Sequence, residues 1–431
     1  MHHLHRQKLT SLISEHGNSV VYIQGGRVAS RYSTDYEYPF RQESNFLYLS
    51  GIQEPDFHLF IHVRSGDYHL FAPRRDARYA VWAGFIRTLE EYKARFKPDF
   101  IHYDDELSIE LKKMDPEKVL CLNGDQAKLI RREGFKTDDN LLKDALAHCR
   151  IIKTAWEMDQ LRKASEVAGR AHARVMAEVE PGMMEYQIKA LYEYVTTSEG
   201  LLHQPYNGIY ASGKNSAVLH YTENKKQLND GDFLLIDAGA ECNGYAADIT
   251  RTHPVSGSFT SVQRDLYHIT LKAQKNALIA IKPGVKMEDL HLGACRDIIG
   301  GLKDMGLVRG EIDELMDKNI FSLFFPHGLG HLMGLDTHDV GGYPKGVGKI
   351  DRPGVKYLRA RIQLEPGMVL TIEPGLYMIP ALLEPAFEDP ERAKYLNADR
   401  LKGLLDIGGV RIEDNAIVTK DGMINLTAVP K

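Results

Sequence analysis

Short apolar runs, set off by polar or glycine breaks, dominate the first third of the chain. Residues 19–24, 46–51, 58–63 and 68–73 are rich in Val, Ile, Phe and Tyr, and they read as strands. Helices are expected at 87–96 and 107–114, a further strand at 119–123 and a helix at 140–149. The pattern then changes. From 155 to 180, Met158, Leu161, Ser165, Ala168, His172, Val175 and Val179 recur at spacings of three and four, and Pro181-Gly182 ends the run. A long amphipathic helix after a complete α/β unit reads as the start of a second domain, so domains are expected over 1–150 and 151–431. Two pairs of strand-like runs follow, 233–240 with 245–255 and 368–373 with 410–419, and the polar stretch 380–400 reads as helix or loop. The expected fold class is α/β in the α+β sense, a small α/β domain followed by a larger one with antiparallel sheet.

Asn243-Gly244 sits between the first pair of runs, and Asn-Gly is the strongest short-range hairpin signal because both central residues need positive φ. A two-residue turn there opposes Cys242 with Tyr245 and Asp237 with Thr250. Asp248 lies two residues from Thr250 and therefore on the same face. The two carboxylates become diagonal neighbours with Cβ atoms within ~7–8 Å. Such a pair should repel, and a shared divalent cation accounts for it. Pro326-His327-Gly328-Leu329-Gly330-His331 places two histidines at i, i+4, but a zincin helix needs Glu directly after the first His, where Gly328 stands. The glycines point to a loop that packs closely against something, and His338 follows in Thr337-His338-Asp339-Val340-Gly341-Gly342. Glu373 and Glu413 each follow an apolar residue in a strand-like run. Asp237, Asp248, His331, Glu373 and Glu413 together make four carboxylates and one imidazole. Two divalent ions balance four buried carboxylates that would otherwise take up protons. Ions ~3.5–4 Å apart leave room for a bridging water of lowered pKa. The carboxylate excess favours Mn, with Co or Zn as alternatives.

Composition narrows the partners. The 431 residues suggest two or three domains at ~150 each. Hydrophobic content of 43% and charged content of 26% are ordinary for a globular chain, and no apolar run approaches the ~20 residues of a membrane span. The net charge of −5 gives no whole-chain basic footprint for nucleic acid. The start, MHHLHRQKLTSLISEHG, has no apolar leader-like run and reads as a mobile, solvated terminus, with His2, His3 and His5 at most weak metal ligands. Cys121, Cys149, Cys242 and Cys295 form no CxxC pair and read as reduced, buried spectators, which makes the cytoplasm the expected compartment.

These motifs resemble the pita-bread di-metal peptidases, the family of methionine aminopeptidase, proline aminopeptidase and prolidase. VLHYTEN, LLIDAG, ADITRT, PHGLGH, HDVGG, PGMVLTIEPG and GGVRIED carry the resemblance from about Lys153 onward. RQESNFLYLSGIQEP and HLFAPRRDARYAVWAGF look like the N-terminal domain of the prolidase branch. The resemblance implies a creatinase-like first domain and a pita-bread catalytic domain. It implies that Asp237 binds one metal, that Asp248 and Glu413 bridge two, and that His331 and Glu373 complete the second. It makes Glu373 a proton shuttle, His220 and His338 stabilisers of the tetrahedral intermediate, and Arg359 a clamp on the substrate C-terminal carboxylate. Tyr206 matches a pocket-lining tyrosine, His327 a histidine behind the ligands, and Arg411 a partner of Glu413. The implied reaction is cleavage of the X–Pro bond of a dipeptide by hydroxide bridging the metals, in a homodimer. An Xaa-Pro aminopeptidase acting on longer peptides and a non-catalytic pita-bread binding module are the alternatives. Trp82 resembles a residue that reaches a partner subunit's site, and a plain core Trp is the other reading.

Overall fold

The computed structural model describes residues 1–348 and 350–431. The chain divides into two compact units, Met1–Arg150 and Ile151–Lys431.

The first unit is a six-stranded mixed sheet. Its strands run, in spatial order, Phe100–Tyr103, Tyr68–Ala72, His58–His62, Ser19–Gln24, Lys118–Cys121 and Thr137–Asp138. The pairings around His58–His62 are antiparallel and the outer ones parallel. Val20, Tyr22, Phe60, Phe71, Leu111, Val119 and Ile130 build the core against this sheet.

Three expectations for this unit fail. Residues 46–51 are not a strand but lie in a helix, Ser44–Ser50, whose Glu43 carboxylate accepts the Phe46 N–H at 2.6 Å and whose Gly51 closes it at φ 72°. A short apolar run has no readable period, so the flanking cap and glycine decide the outcome. The terminus is not a loose, fully solvated segment. His2–Leu12 is a helix with His5 and Leu9 buried, and the Nδ1 atoms of His2 and His5 meet the Tyr48 carbonyl at 2.9 and 2.8 Å. Trp82 is not a core residue. It ends the helix Ala77–Trp82 and is 87% exposed.

In the second unit the long helix spans Ala155–Glu178, started by a Thr154/Glu157 capping box. Helices Glu185–Ser198, Ser261–Ile279 and Met287–Asp304 join it. The stretch 380–400 is mostly helical, as Pro380–Glu388, Pro390–Ala393 and Ala398–Lys402. These helices pack on short antiparallel sheets: Ile209–Ser212, Phe233–Asp237 and Thr250–Pro254 in one, Val369–Ile372, Asp414–Val418 and Met423–Asn425 in another, and Gly375–Tyr377 with Gly409–Arg411 in a third. Asn243 and Gly244 adopt φ 50° and 87°, as a type I′ turn requires. The register pairs Cys242 with Tyr245 and Asp237 with Thr250. All four cysteines are buried, and none forms a disulfide. No helix among the described residues is long and apolar enough to cross a membrane.

Candidate metal centre

Three strand pairs converge on one cluster of carboxylates. Asp237 closes the strand Phe233–Asp237, and Asp248 sits two residues before Thr250 on the returning arm. Glu413 lies in the break between Gly409–Arg411 and Asp414–Val418, where its N–H bonds the Thr250 carbonyl at 3.1 Å. That bond brings the second strand pair onto the first. Glu373 directly follows Val369–Ile372, and its N–H bonds the Leu329 carbonyl at 2.8 Å. His331 is held to the same strand, its carbonyl accepting the Thr371 N–H at 3.0 Å and its N–H donating to Thr371 Oγ1 at 3.0 Å. The glycines of PHGLGH are explained by close approach. A Cβ on Gly330 would run into the Thr371 carbonyl, and one on Gly328 into the backbone of Leu358.

Ligand atoms of Asp248, His331 and Glu413, all buried, lie within 4.8 Å of one another. His331 Nδ1 donates to the Leu332 carbonyl at 3.0 Å. A carbonyl only accepts, so the proton sits on Nδ1 and the lone pair of Nε2 faces outward. That lone pair points at Asp248 Oδ2, 3.4 Å away, and Glu373 Oε1, 3.6 Å away. Burial lowers His331 to about 4, so protonation does not relieve this meeting of three acceptors. Burial, with Asp237 and Glu373 nearby, holds the Asp248 carboxyl well above the usual carboxylate range. Burial and Asp248 do the same for Glu413, and burial and Glu413 for Glu373. Oxygen donors in excess, an imidazole lone pair and too little positive charge are the chemistry of a divalent-cation site. The residues present therefore fit such ions.

Arg411 supplies the one non-histidine cation paired with this cluster among the described residues. Its Nη2 meets Asp237 Oδ2 at 2.6 Å, so its direct partner is Asp237, and it reaches Glu413 only through the Thr250 hydroxyl (3.2 Å to Thr250 Oγ1, then 2.6 Å to Glu413 Oε2). Balancing four carboxylates against two divalent ions alone thus omitted one positive charge. Tyr206 is not simply a pocket wall. Its hydroxyl lies 2.8 Å from Asp237 Oδ1 and 2.5 Å from Asp248 Oδ1, between the two. His327 Nδ1 donates to the Gly328 carbonyl at 2.8 Å, which leaves Nε2 to accept from the Tyr377 hydroxyl at 2.8 Å. Arg411 Nη1 donates to that same hydroxyl at 2.9 Å.

His338, His220 and Arg359 are exposed. The His338 ring stands edge-on to His331 with centroids 4.3 Å apart. Although the residue is exposed overall, desolvation of its ring, followed by the influence of His331, Arg359 and His220, lowers His338 to about 3. Thr250, Thr371, Tyr377 and Asn415 escaped notice as site residues in the sequence. Asn415 Oδ1 accepts the Asp248 N–H at 3.0 Å. Only Thr250 left a signal, since the hairpin register places it opposite Asp237.

A model described as "Metallopeptidase family M24" matches residues 159–420, and one described as "Aminopeptidase P, N-terminal domain" matches residues 2–120. The chain belongs to metallopeptidase family M24. It is an enzyme of the pita-bread class, with an N-terminal domain like that of aminopeptidase P. It is 39% identical to the human Xaa-Pro dipeptidase over 99% of this chain and 90% of that protein. A probable Xaa-Pro aminopeptidase from Paracoccidioides brasiliensis is 37% identical over 99% of this chain and 94% of its own. Among solved structures, a variant of Escherichia coli aminopeptidase P superposes with a TM-score of 0.85 at 31% identity, covering 99% of this chain and 95% of that one.

Proposed function

We propose that this metallopeptidase is a dipeptidase that cleaves X–Pro dipeptides with a free C-terminal carboxylate. The reading is supported by Arg359, an exposed guanidinium whose electrostatic influence reaches His331 and His338. A guanidinium fork there suits a terminal carboxylate held bidentately.

Asp237, Asp248, His331, Glu373 and Glu413 would hold two divalent ions, Mn by preference and Co or Zn otherwise. When bound, such ions supply Lewis-acid polarisation of the scissile carbonyl and a more acidic water. The chain's own residues do the rest. Glu373 takes a proton from the attacking water and delivers it to the departing proline nitrogen. Without that proton the nitrogen would have to leave as a strongly basic anion. His338, neutral at working pH, and His220 donate hydrogen bonds to the oxyanion that develops at the carbonyl. Tyr206 and Arg411 hold Asp237 and Asp248 in place, and His327 orients Tyr377 beside Arg411. We also infer a cytoplasmic homodimer. The exposed apolar side chains Val81, Trp82 and Phe85 of the first unit support a subunit contact.

The test is a rate panel on Ala-Pro, Ala-Pro-amide and Ala-Pro-Gly after reconstitution with Mn, Co or Zn. Ala-Pro should turn over and the amide should not, and Arg359→Ala should raise KM for Ala-Pro strongly. Comparable rates on Ala-Pro-Gly would move the protein to the aminopeptidases. No turnover with any metal would leave a binding module.

A further inference from the structure

Far from the carboxylate cluster in sequence, the side chain of Glu185 is fully buried, and no cationic side chain pairs with it among the described residues. It opens the helix Glu185–Ser198. Its Oε1 accepts from the Ser212 N–H at 2.8 Å, the Ser212 hydroxyl at 2.9 Å and Asn215 Nδ2 at 3.2 Å. Its Oε2 accepts from the Tyr221 hydroxyl at 2.7 Å and the Lys226 N–H at 2.9 Å. Glu185's own N–H reaches back to the Lys226 carbonyl at 3.0 Å. Every donor to this carboxylate belongs to one segment, 212–226. The Lys226 ammonium turns away, to the Ser212 carbonyl and Asp232.

The same segment is tied to the metal side of the fold. Ser216 Oγ donates to the Gly213 carbonyl at 2.6 Å and accepts the Gly409 N–H at 2.8 Å. Gly409 begins the strand that carries Arg411. His220 is exposed and directly precedes Tyr221 in this segment, and it influences His327 and His338 electrostatically. A surface histidine on irregular backbone has no packing of its own to aim it. Five hydrogen bonds to one buried anion supply the rigidity that the side chain lacks, and ionised acceptors make the stronger bonds.

We propose that Glu185 is the positioning residue for His220, a buried anchor that fixes segment 212–226 so that the imidazole is held over the scissile carbonyl. This rests on the reading of His220 as an oxyanion donor. A carboxylate that merely staples the fold would lower stability without acting through His220.

The two are separated by a double-mutant cycle on the metal-loaded enzyme with Ala-Pro, together with hydrogen exchange on the metal-free protein. Glu185→Gln keeps the shape but places an amide N–H against the Lys226 N–H. It is expected to lower kcat by about a hundredfold with little change in KM, as displaced catalytic groups do. His220→Ala lowers kcat as well, and adding Glu185→Gln to it should cost nothing further, because coupled residues are not additive. Exchange should rise in 212–226 and stay unchanged in 369–373. Unchanged kcat in Glu185→Gln, or the same further loss in the His220→Ala background, overturns the proposal. Wild-type kcat in His220→Ala overturns the catalytic reading of His220 and the proposal with it. That case stays distinguishable, because segment exchange still reports whether Glu185 anchors 212–226. If Glu185→Gln does not fold, Tyr221→Phe removes one of the five bonds and enters the same cycle, with additivity again counting against the proposal.

Discussion

A single phenol keeps two carboxylates of the cluster apart and in place. The Tyr206 hydroxyl has one proton and faces both Asp237 and Asp248, so it donates to one while its dipole serves the other. Burial and the surrounding carboxylates hold its own ionisation far above the ordinary tyrosine value, so it remains a donor at any working pH. Tyr206→Phe should keep the fold and weaken metal binding or activity by about 10- to 100-fold, the usual cost of losing a group that orients a ligand. Calorimetric titration with Mn alongside kcat reads both. Glu413→Gln removes a charge from the ligand set itself and should lose most of the metal at concentrations that saturate Tyr206→Phe. Equal metal affinities in the two variants would contradict the division between ligand and support drawn from these distances.

The elements that build the cluster are held by backbone approach as much as by side chains. The hairpin register continues through the breaks in its strands, since Ala238 N–H bonds the Ile249 carbonyl and Ala247 N–H the Ala240 carbonyl. Gly239 lies between these bonds, and a Cβ there would strike the Ala247 carbonyl. Gly239→Ala should therefore destabilise the protein by about 1–3 kcal/mol, the cost of overpacking, and should shift Asp248 relative to Asp237. Denaturant unfolding checks the first effect, and a lowered Mn affinity the second. An unchanged midpoint would mean that the hairpin tip yields freely. This register was legible because Asn243-Gly244 forces a two-residue turn and the period of two then carries the pairing to Asp237. Convergence of the second strand pair was not legible. It depends on long-range bonds such as Glu413 N–H to the Thr250 carbonyl, Asp248 N–H to Asn415 Oδ1 and Arg411 N–H to Thr252 Oγ1, and no local pattern announces contacts between residues so far apart. The helix Ser44–Ser50 was missed for the opposite reason. Its apolar residues are buried on every side, so the run showed no helical period.

Over the whole molecule, buried histidines outside the cluster set the response to acid. His253 and His291 are both buried, and burial lowers them to about 3 and about 4. His291 Nε2 donates to the Gly354 carbonyl at 2.9 Å, while Nδ1 has no hydrogen-bond partner among the described residues. The ring is therefore kept neutral by its surroundings. In the unfolded chain a histidine titrates near ~6.5. Below that pH the unfolded state binds a proton that the folded state refuses, so stability falls as pH drops from ~6.5 towards the folded value. Each such histidine removes up to about 1.4 kcal/mol per pH unit over that window. His291→Leu should lose the Gly354 bond at every pH, a constant cost, yet be spared the proton uptake. Its melting temperature, measured against the wild type from pH 7 to pH 4, should fall less steeply, so that the gap between the two proteins narrows or reverses as acid is added. The carboxylates of the cluster are common to both proteins and cancel in that difference, provided both are measured without metal. Parallel curves across the window would show that His291 takes up its proton in the folded state, and that its burial does not govern acid stability.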